Sequence, residues 1–121
     1  MKHLTFLVVL SLFFSVSCTK TAEKAATRIR GKFVYSSCAT QVVQVLDSNY
    51  FNLGIQWQKS STDPVYNNVF TVENGCDFVA AGLKTGDEFY FELTTNASAG
   101  CGICALWDNP PTKKQMIKIL K

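Results

Sequence analysis

Histidine is almost missing from this chain, because the one histidine among its 121 residues is His3. That residue lies in an apolar N-terminal segment typical of a removable leader. A mature protein that begins after the leader would contain no histidine. Serine–histidine and cysteine–histidine nucleophile pairs, histidine general bases and zinc sites with imidazole ligands are therefore excluded.

An excess of charge of one sign is also missing. The chain has 12 Lys and Arg against 9 Asp and Glu, a formal net charge of +3, which is too small to indicate nucleic-acid binding. The acidic residues have neither the spacing of two carboxylates facing across a glycosidase cleft nor a dense Asp/Asn run for calcium. We therefore expect no catalytic residue, no metal site and no cofactor, in a protein that is not an enzyme and binds no nucleic acid.

The N-terminal segment has the parts of an export signal. Lys2 and His3 follow the initiator methionine, and Leu4 to Val16 is an apolar run of 13 residues broken by one Thr and two Ser. A transmembrane helix needs about 20 apolar residues, so the run is too short to span a bilayer. The sequence predicts a signal peptide over residues 1–17.

The end of this run, Ser15-Val16-Ser17-Cys18, resembles the lipobox of bacterial lipoproteins. The resemblance implies a diacylglyceryl thioether on Cys18, cleavage before it, and acylation of the new amino group with a fatty acid such as palmitate. The partner would then be the membrane, and Thr19 after the cysteine suggests the outer membrane facing the periplasm. An ordinary cleaved signal, with Cys18 near the cut by chance, is the alternative.

The mature chain divides into a tether and one domain. Residues 18–28 carry the lipidated cysteine and a polar, small-residue stretch that cannot bury enough surface to fold alone. Residues 29–121 show a hydrophobic period of two, which indicates strands. The predicted strands cover 29–35, 41–46, 50–58, 69–73, 88–95, 101–107 and 115–120, with a helical turn near 78–82.

Short strands at regular spacing with little helical pattern predict an all-β fold. The segment Leu83-Lys84-Thr85-Gly86-Asp87, followed by Phe89 and Phe91, resembles the turn-and-strand pattern of OB-like and SH3-like barrels. We therefore expect a small, partly open barrel of five to seven strands, OB-like, with a β-sandwich as the alternative.

Four cysteines remain after Cys18, namely Cys38, Cys76, Cys101 and Cys104. An exported domain of this size is expected to pair them in disulfides, and three pairings are open. The motif Cys101-Gly102-Ile103-Cys104 also resembles the Cys-Gly-x-Cys of thioredoxin-type oxidoreductases. The alternative function is therefore thiol redox or metal handling through that motif.

The chain has more aromatic residues than the inner faces of the predicted strands need. Trp57, Tyr90 and Trp107 are the candidates to face a ligand, since OB-like barrels bind through such rings. The sequence thus predicts a lipid-anchored, non-enzymatic cell-envelope protein with a disulfide-stabilised β domain. Its role would be structural or the binding of an envelope protein, peptide or glycan, and inhibition of an envelope-attacking hydrolase is a third hypothesis.

Overall fold

Strands make up most of the ordered elements in the computed structural model, which describes residues 27–97, 101 and 104–121. The predicted signal peptide, Cys18 and most of the tether lie outside these residues. In chain order the elements are β1 (Ile29–Ser36), β2 (Gln41–Val45), a 3₁₀ helix (Ser48–Leu53), β3 (Ile55–Trp57), β4 (Tyr66–Val72), α1 (Gly75–Ala80), β5 (Glu88–Leu93), β6 (Lys114–Gln115) and β7 (Ile117–Leu120). The predicted all-β class is confirmed.

The seven strands form one sheet in the order β3-β4-β2-β1-β5-β7, with antiparallel neighbours, and β6 pairs with β4 in parallel. The C-terminal segment therefore pairs with two strands that are not neighbours in the sheet: β7 pairs with β5, and β6 pairs with β4. The sheet is not closed into a barrel, which differs from the predicted OB-like, partly open barrel, and β6 pairs with β4 over two residues. A single sheet also differs from the β-sandwich alternative, which would need two.

The main core lies on the inner face of the sheet. Alternate residues of β1, Ile29 and Phe33, point into it, and Phe91 comes from the neighbouring β5. Phe78 of α1 covers this core, with its ring centroid 4.7 Å from that of Phe33 and 5.6 Å from that of Phe89. Helix α1 is thus held to the sheet by aromatic packing.

A second, smaller core lies on the outer face. Successive residues of a strand point to opposite faces, and Val43 belongs to the main core while Val42 packs with Trp57 and Val69. The register of β1 against β2 shifts between Phe33 and Tyr35. This bulge brings Tyr35 to the outer cluster, beside Tyr66.

Asn74, just before α1, joins the helix to the edge strand β7. Its buried side-chain amide donates to the Ile117 carbonyl oxygen at 2.7 Å and accepts from the Ile117 N–H at 2.9 Å. The amide therefore takes the place of a neighbouring strand at this residue. Within the described ranges, neither helical segment has the length and hydropathy needed to cross a membrane.

The predicted strand over 50–58 is confirmed only as β3, Ile55–Trp57, and the predicted strand over 101–107 is wrong. Residues 50–53 belong to the 3₁₀ helix, where the N–H of Tyr50 donates to the Asp47 carbonyl oxygen at 3.0 Å. Tyr50 and Leu53, three residues apart, then both pack on the main core, a spacing that fits a 3₁₀ turn and not a strand. Residues 104–107 have no regular structure, and 102–103 lie outside the described residues. The predicted helical turn is confirmed as α1, which begins earlier, at Gly75.

Candidate functional site

Trp57, expected to face a ligand, is instead buried in the outer cluster with 8% of its surface exposed. Its ring stacks on Tyr66 at 6.2 Å and meets Tyr35 edge-on at 5.7 Å. Its indole N–H donates to the Asn109 carbonyl oxygen at 2.8 Å. Trp57 therefore helps to form the structure and offers no free ring face.

Trp107 lies at the surface, with 80% of its area exposed, and its neighbour Leu106 is 55% exposed. We call the exposed residues Ala105, Leu106 and Trp107 the tip. Single exposed apolar residues are common on protein surfaces, but adjacent large ones are characteristic of contact sites.

The tip is fixed on both sides. Before it, Cys104 is bonded to Cys38 in the β1–β2 turn, with the two Cα atoms 5.7 Å apart. After it, the Asp108 carboxylate accepts three hydroxyl hydrogen bonds, from Tyr35 at 2.9 Å, Ser37 at 2.6 Å and Thr40 at 2.7 Å. We call these four residues the Asp108 cluster.

Residues 108–111 continue from the tip across the outer cluster, and we call them the strap. The Asn109 carbonyl oxygen accepts the hydrogen bond from the Trp57 indole N–H. The Asn109 side-chain amide donates to the Lys59 carbonyl oxygen at 2.9 Å. The carbonyl oxygen of Pro111, which is fully buried, accepts from the Thr71 hydroxyl at 2.8 Å. The strap thus seals the outer cluster and gives the tip a rigid base.

These contacts shift the pKa values of two charged side chains near the tip, Asp108 and Lys59. Partial burial raises the pKa of Asp108, but the hydrogen bonds donated by Ser37, Thr40 and Tyr35 outweigh it and leave the pKa below its ordinary value. The Lys59 ammonium lies 5.0 Å from the centre of the Tyr35 ring. Its pKa is raised, chiefly by the Tyr35 hydroxyl and further by the Asp63 and Asp108 carboxylates.

The Asp108 cluster is built to hold the chain and not to activate a nucleophile. The Ser37 hydroxyl donates to the carboxylate while its oxygen accepts the N–H groups of Ala39 and Thr40, at 3.2 and 3.0 Å. Its lone pairs are therefore occupied. In the described part of the chain, no three His, Cys, Asp or Glu side chains are grouped so that they could hold a metal ion.

Tyr90 lies far from the tip, on the outer face of β5. Its ring is 44% exposed, and the Arg28 guanidinium carbon lies 4.7 Å from the ring centre. Tyr90 pairs with Arg30 near the start of β1. Cys104, the residue before the tip, is bonded to Cys38, which lies beyond the end of β1. Arg30 and Ser36 are six positions apart along the strand, about 20 Å at 3.3 Å per residue. Tyr90 and Trp107 therefore lie near opposite ends of β1.

A surface groove of about 940 Å³ lies between α1 and the strands β5 and β7, with Tyr90 on its rim. Its lining includes the apolar residues Phe78, Leu83 and Ile119. The charged side chains around it are balanced, three cationic and three acidic, namely Arg28, Lys118, Lys121, Asp77, Glu88 and Glu92.

All four cysteines of the domain are in disulfides, in one of the crossed pairings. Cys38 is bonded to Cys104, and Cys76 at the start of α1 is bonded to Cys101, with Cα atoms 5.8 Å apart. The two cysteines of the Cys-Gly-x-Cys motif are therefore bonded to different elements and not to each other. In this state they connect the segment before the tip to the β1–β2 turn and to α1.

No sequence pattern predicted the Asp108 cluster. Tyr35 and Asp108 are 73 residues apart, and no local pattern joins them. The one signal was the hydroxyl-rich run from Tyr35 to Thr40 around Cys38, which is unusual in a turn between two apolar strands.

We expect Asp108→Asn to lower the free energy of unfolding by about 2 kcal/mol at pH 7, because three hydroxyl groups lose a charged acceptor. A carboxyl whose pKa is lowered on folding stabilises the protein above its unfolded pKa, and this contribution is lost as pH falls through the folded pKa. The difference between wild type and Asp108→Asn should therefore be full at pH 7 and shrink below the ordinary value of 3.8.

Urea unfolding at pH 7, 5 and 3 measures this difference. The matched control is Glu73→Gln, since Glu73 is an exposed carboxylate, and it should change stability by less than about 0.5 kcal/mol. A difference for Asp108→Asn that stays constant down to pH 3 would contradict the assigned role of the carboxylate.

Comparison of the chain with protein-family models, with curated proteins and with solved structures finds no match.

Proposed function

We propose that this protein is a lipid-anchored, non-enzymatic protein of the bacterial cell envelope, attached to the membrane through Cys18. Its disulfide-bonded β domain presents the tip, residues 105–107, to an envelope protein, peptide or glycan. The observation that carries the proposal is the contrast between an 80% exposed Trp107 and the firmly bonded chain on either side of it.

The cysteine count supports the anchor. The chain has 5 cysteines, and four of them are consumed in two bridges. Cys18, at the end of the apolar run, is thus not required for either bridge, and its sulfur is available for a thioether. Bridged cysteines are also typical of proteins exported to an oxidising compartment.

Metabolic labelling with a fatty-acid analogue of palmitate tests the anchor. We expect label on the wild-type protein and none on Cys18→Ser, while Trp107→Ala, as a matched control outside the lipobox, keeps the label. An unlabelled wild-type polypeptide that still carries Met1 would refute the anchor.

Rigidity at the tip supports a binding role. A side chain held on a fixed backbone loses little conformational entropy when a partner covers it. Tryptophan is among the residues that contribute most to binding energy when they are buried at an interface. The Cys38–Cys104 bridge and the Asp108 cluster supply that fixed backbone.

In-cell photo-crosslinking tests the contact. A photoreactive phenylalanine in place of Trp107 is expected to give discrete adducts, because the residue at that position would lie against the partner. The same group in place of Lys84, which is also exposed but lies in a turn at the start of β5, serves as the control. Equal labelling at both positions, or none at Trp107, would contradict the proposed contact.

Thiol chemistry, the alternative from the sequence, is not proposed. Cys101 and Cys104 are each bonded to a distant cysteine, so the motif does not form the local bridge that thioredoxin-type exchange uses. No specific contact in the described residues favours the alternative.

A further inference from the structure

The point at which the tether joins the domain determines which surface lies nearest to the lipid. The described chain begins at Thr27, and β1 starts at Ile29, opposite Phe91 of β5. A chain of ten residues that behaves as a random coil has a root-mean-square length of about 17 Å. If Cys18 carries lipid, as proposed above, the start of β1 and its neighbours β5 and β7 are therefore held close to the membrane.

The outer face of these three strands is an uncovered sheet surface. One cross-strand row joins Arg30, Tyr90 and Leu120, and the next joins Glu92 and Lys118. Arg28 lies over the Tyr90 ring. We call the outward side chains of Arg28, Arg30, Tyr90, Lys118 and Leu120 the proximal face.

The proximal face has more positive than negative charge. Including Lys32 on the same side of β1, four cationic side chains lie there against three acidic ones, Asp47, Glu88 and Glu92. Each acidic group has a partner: Glu88 is opposite Lys32, Glu92 lies 3.9 Å from the Lys118 ammonium, and Asp47 accepts the Arg30 N–H. The surplus is therefore one positive charge, and the two arginines lie on either side of the tether junction.

Tyr90 gives this face an amphipathic centre. Tyrosine rings prefer the boundary between headgroups and acyl chains, where the ring is partly buried and the hydroxyl stays hydrated. Arginine and lysine beside it attract anionic lipid, each contributing favourably within a Debye length of the surface.

We propose that the proximal face rests on the anionic phospholipid surface of the membrane to which Cys18 is anchored. The tip then points away from that membrane, because it lies beyond the far end of β1. This strand of 8 residues is about 23 Å long at 3.3 Å per residue, more than the tether's average reach. The domain would thus stand with Tyr90 at the lipid and Trp107 directed to its partner.

Hydroxyl-radical footprinting of the lipidated protein tests this orientation. The protein is reconstituted in vesicles of phosphatidylcholine alone and of phosphatidylcholine with phosphatidylglycerol, and oxidation of Tyr90 and Trp107 is measured by mass spectrometry in the same sample. We expect the ratio of Tyr90 to Trp107 oxidation to fall about threefold with phosphatidylglycerol. The ratio should rise again in about 0.5 M salt, where surface charges are screened.

Charge reversal supplies the matched comparison. Arg28→Glu with Arg30→Glu should restore the ratio found in phosphatidylcholine, whereas Lys84→Glu with Lys114→Glu, exposed lysines elsewhere, should not. A ratio that ignores lipid composition, or protection of Trp107 in place of Tyr90, would overturn the proposal. Failure of the anchor itself is recognised separately, because the protein would then not float with vesicles of either composition.

Discussion

Replacing Cys38 and Cys104 together with alanine is expected to lower the free energy of unfolding by about 4 kcal/mol. The bridge joins residues 66 positions apart, and a cross-link over a loop of that length removes much of the conformational entropy of the unfolded chain. The variant also frees the segment before the tip from the β1–β2 turn. Urea unfolding under non-oxidising and non-reducing conditions measures the loss.

A substitution at a neighbouring residue tests whether the loss of stability comes from the bridge itself. Ser36→Ala changes an exposed residue at the end of β1 and should alter stability by less than about 0.5 kcal/mol. A loss below about 1 kcal/mol for the double alanine variant would mean that the Asp108 cluster holds the strap without the bridge. In that case, acrylamide would still be unable to quench the fluorescence of Trp57, which the strap covers.

Local patterns in the sequence were sufficient for the fold class. The alternation of Ile29, Phe33 and the residues between them predicts a strand with one buried face, and β1 has that face against the main core. The same holds for Phe89 and Phe91 in β5. Period-two signals depend on neighbouring residues only, and each of these strands has one solvent-facing side that makes the alternation clear.

Burial of the outer face could not be predicted in the same way. Trp57 alternates with polar residues and was assigned to a ligand, but the strap, some 50 residues later in the chain, covers it. Whether the Trp57 ring is buried depends on where residues 108–111 lie. Their position depends in turn on the Asp108 hydrogen bonds and on which of the three disulfide pairings forms. Sequence spacing contains no information on such long-range contacts.

The cysteines show the same limit. Their number and the expected export predicted bridging, and both bridges are present. The sequence left three pairings open, and the chain uses Cys101 and Cys104 to join two different elements, α1 and the β1–β2 turn. Connectivity is a property of the tertiary structure, because each sulfur bonds to the one that the fold brings within reach.

Gly54→Ala is expected to destabilise the protein by at least about 3 kcal/mol, although the change adds a single methyl group. Gly54 connects the 3₁₀ helix to β3 and has an extended backbone, with φ of −122°, so any residue could adopt its conformation. The obstacle is space: a Cβ atom there would lie within 2.6 Å of backbone atoms of Asn68 and Val69 in β4. Backbone in the middle of a sheet cannot rotate away, so β3 must separate from β4.

The matched control is Gly82→Ala, at a glycine that has space for a Cβ atom but an unfavourable φ. Gly82 has a positive φ of 74°, and no atom lies within 4 Å of the position that a Cβ atom would take, so alanine meets only the left-handed backbone penalty of about 1–2 kcal/mol. Thermal or urea unfolding of both variants compares steric exclusion with backbone strain in one protein. If Gly82→Ala were the more damaging, the close contact between Gly54 and β4 would not be the constraint that fixes this glycine. Since β3 carries Trp57, loss of its pairing should also release the strap and redden the fluorescence of that buried ring.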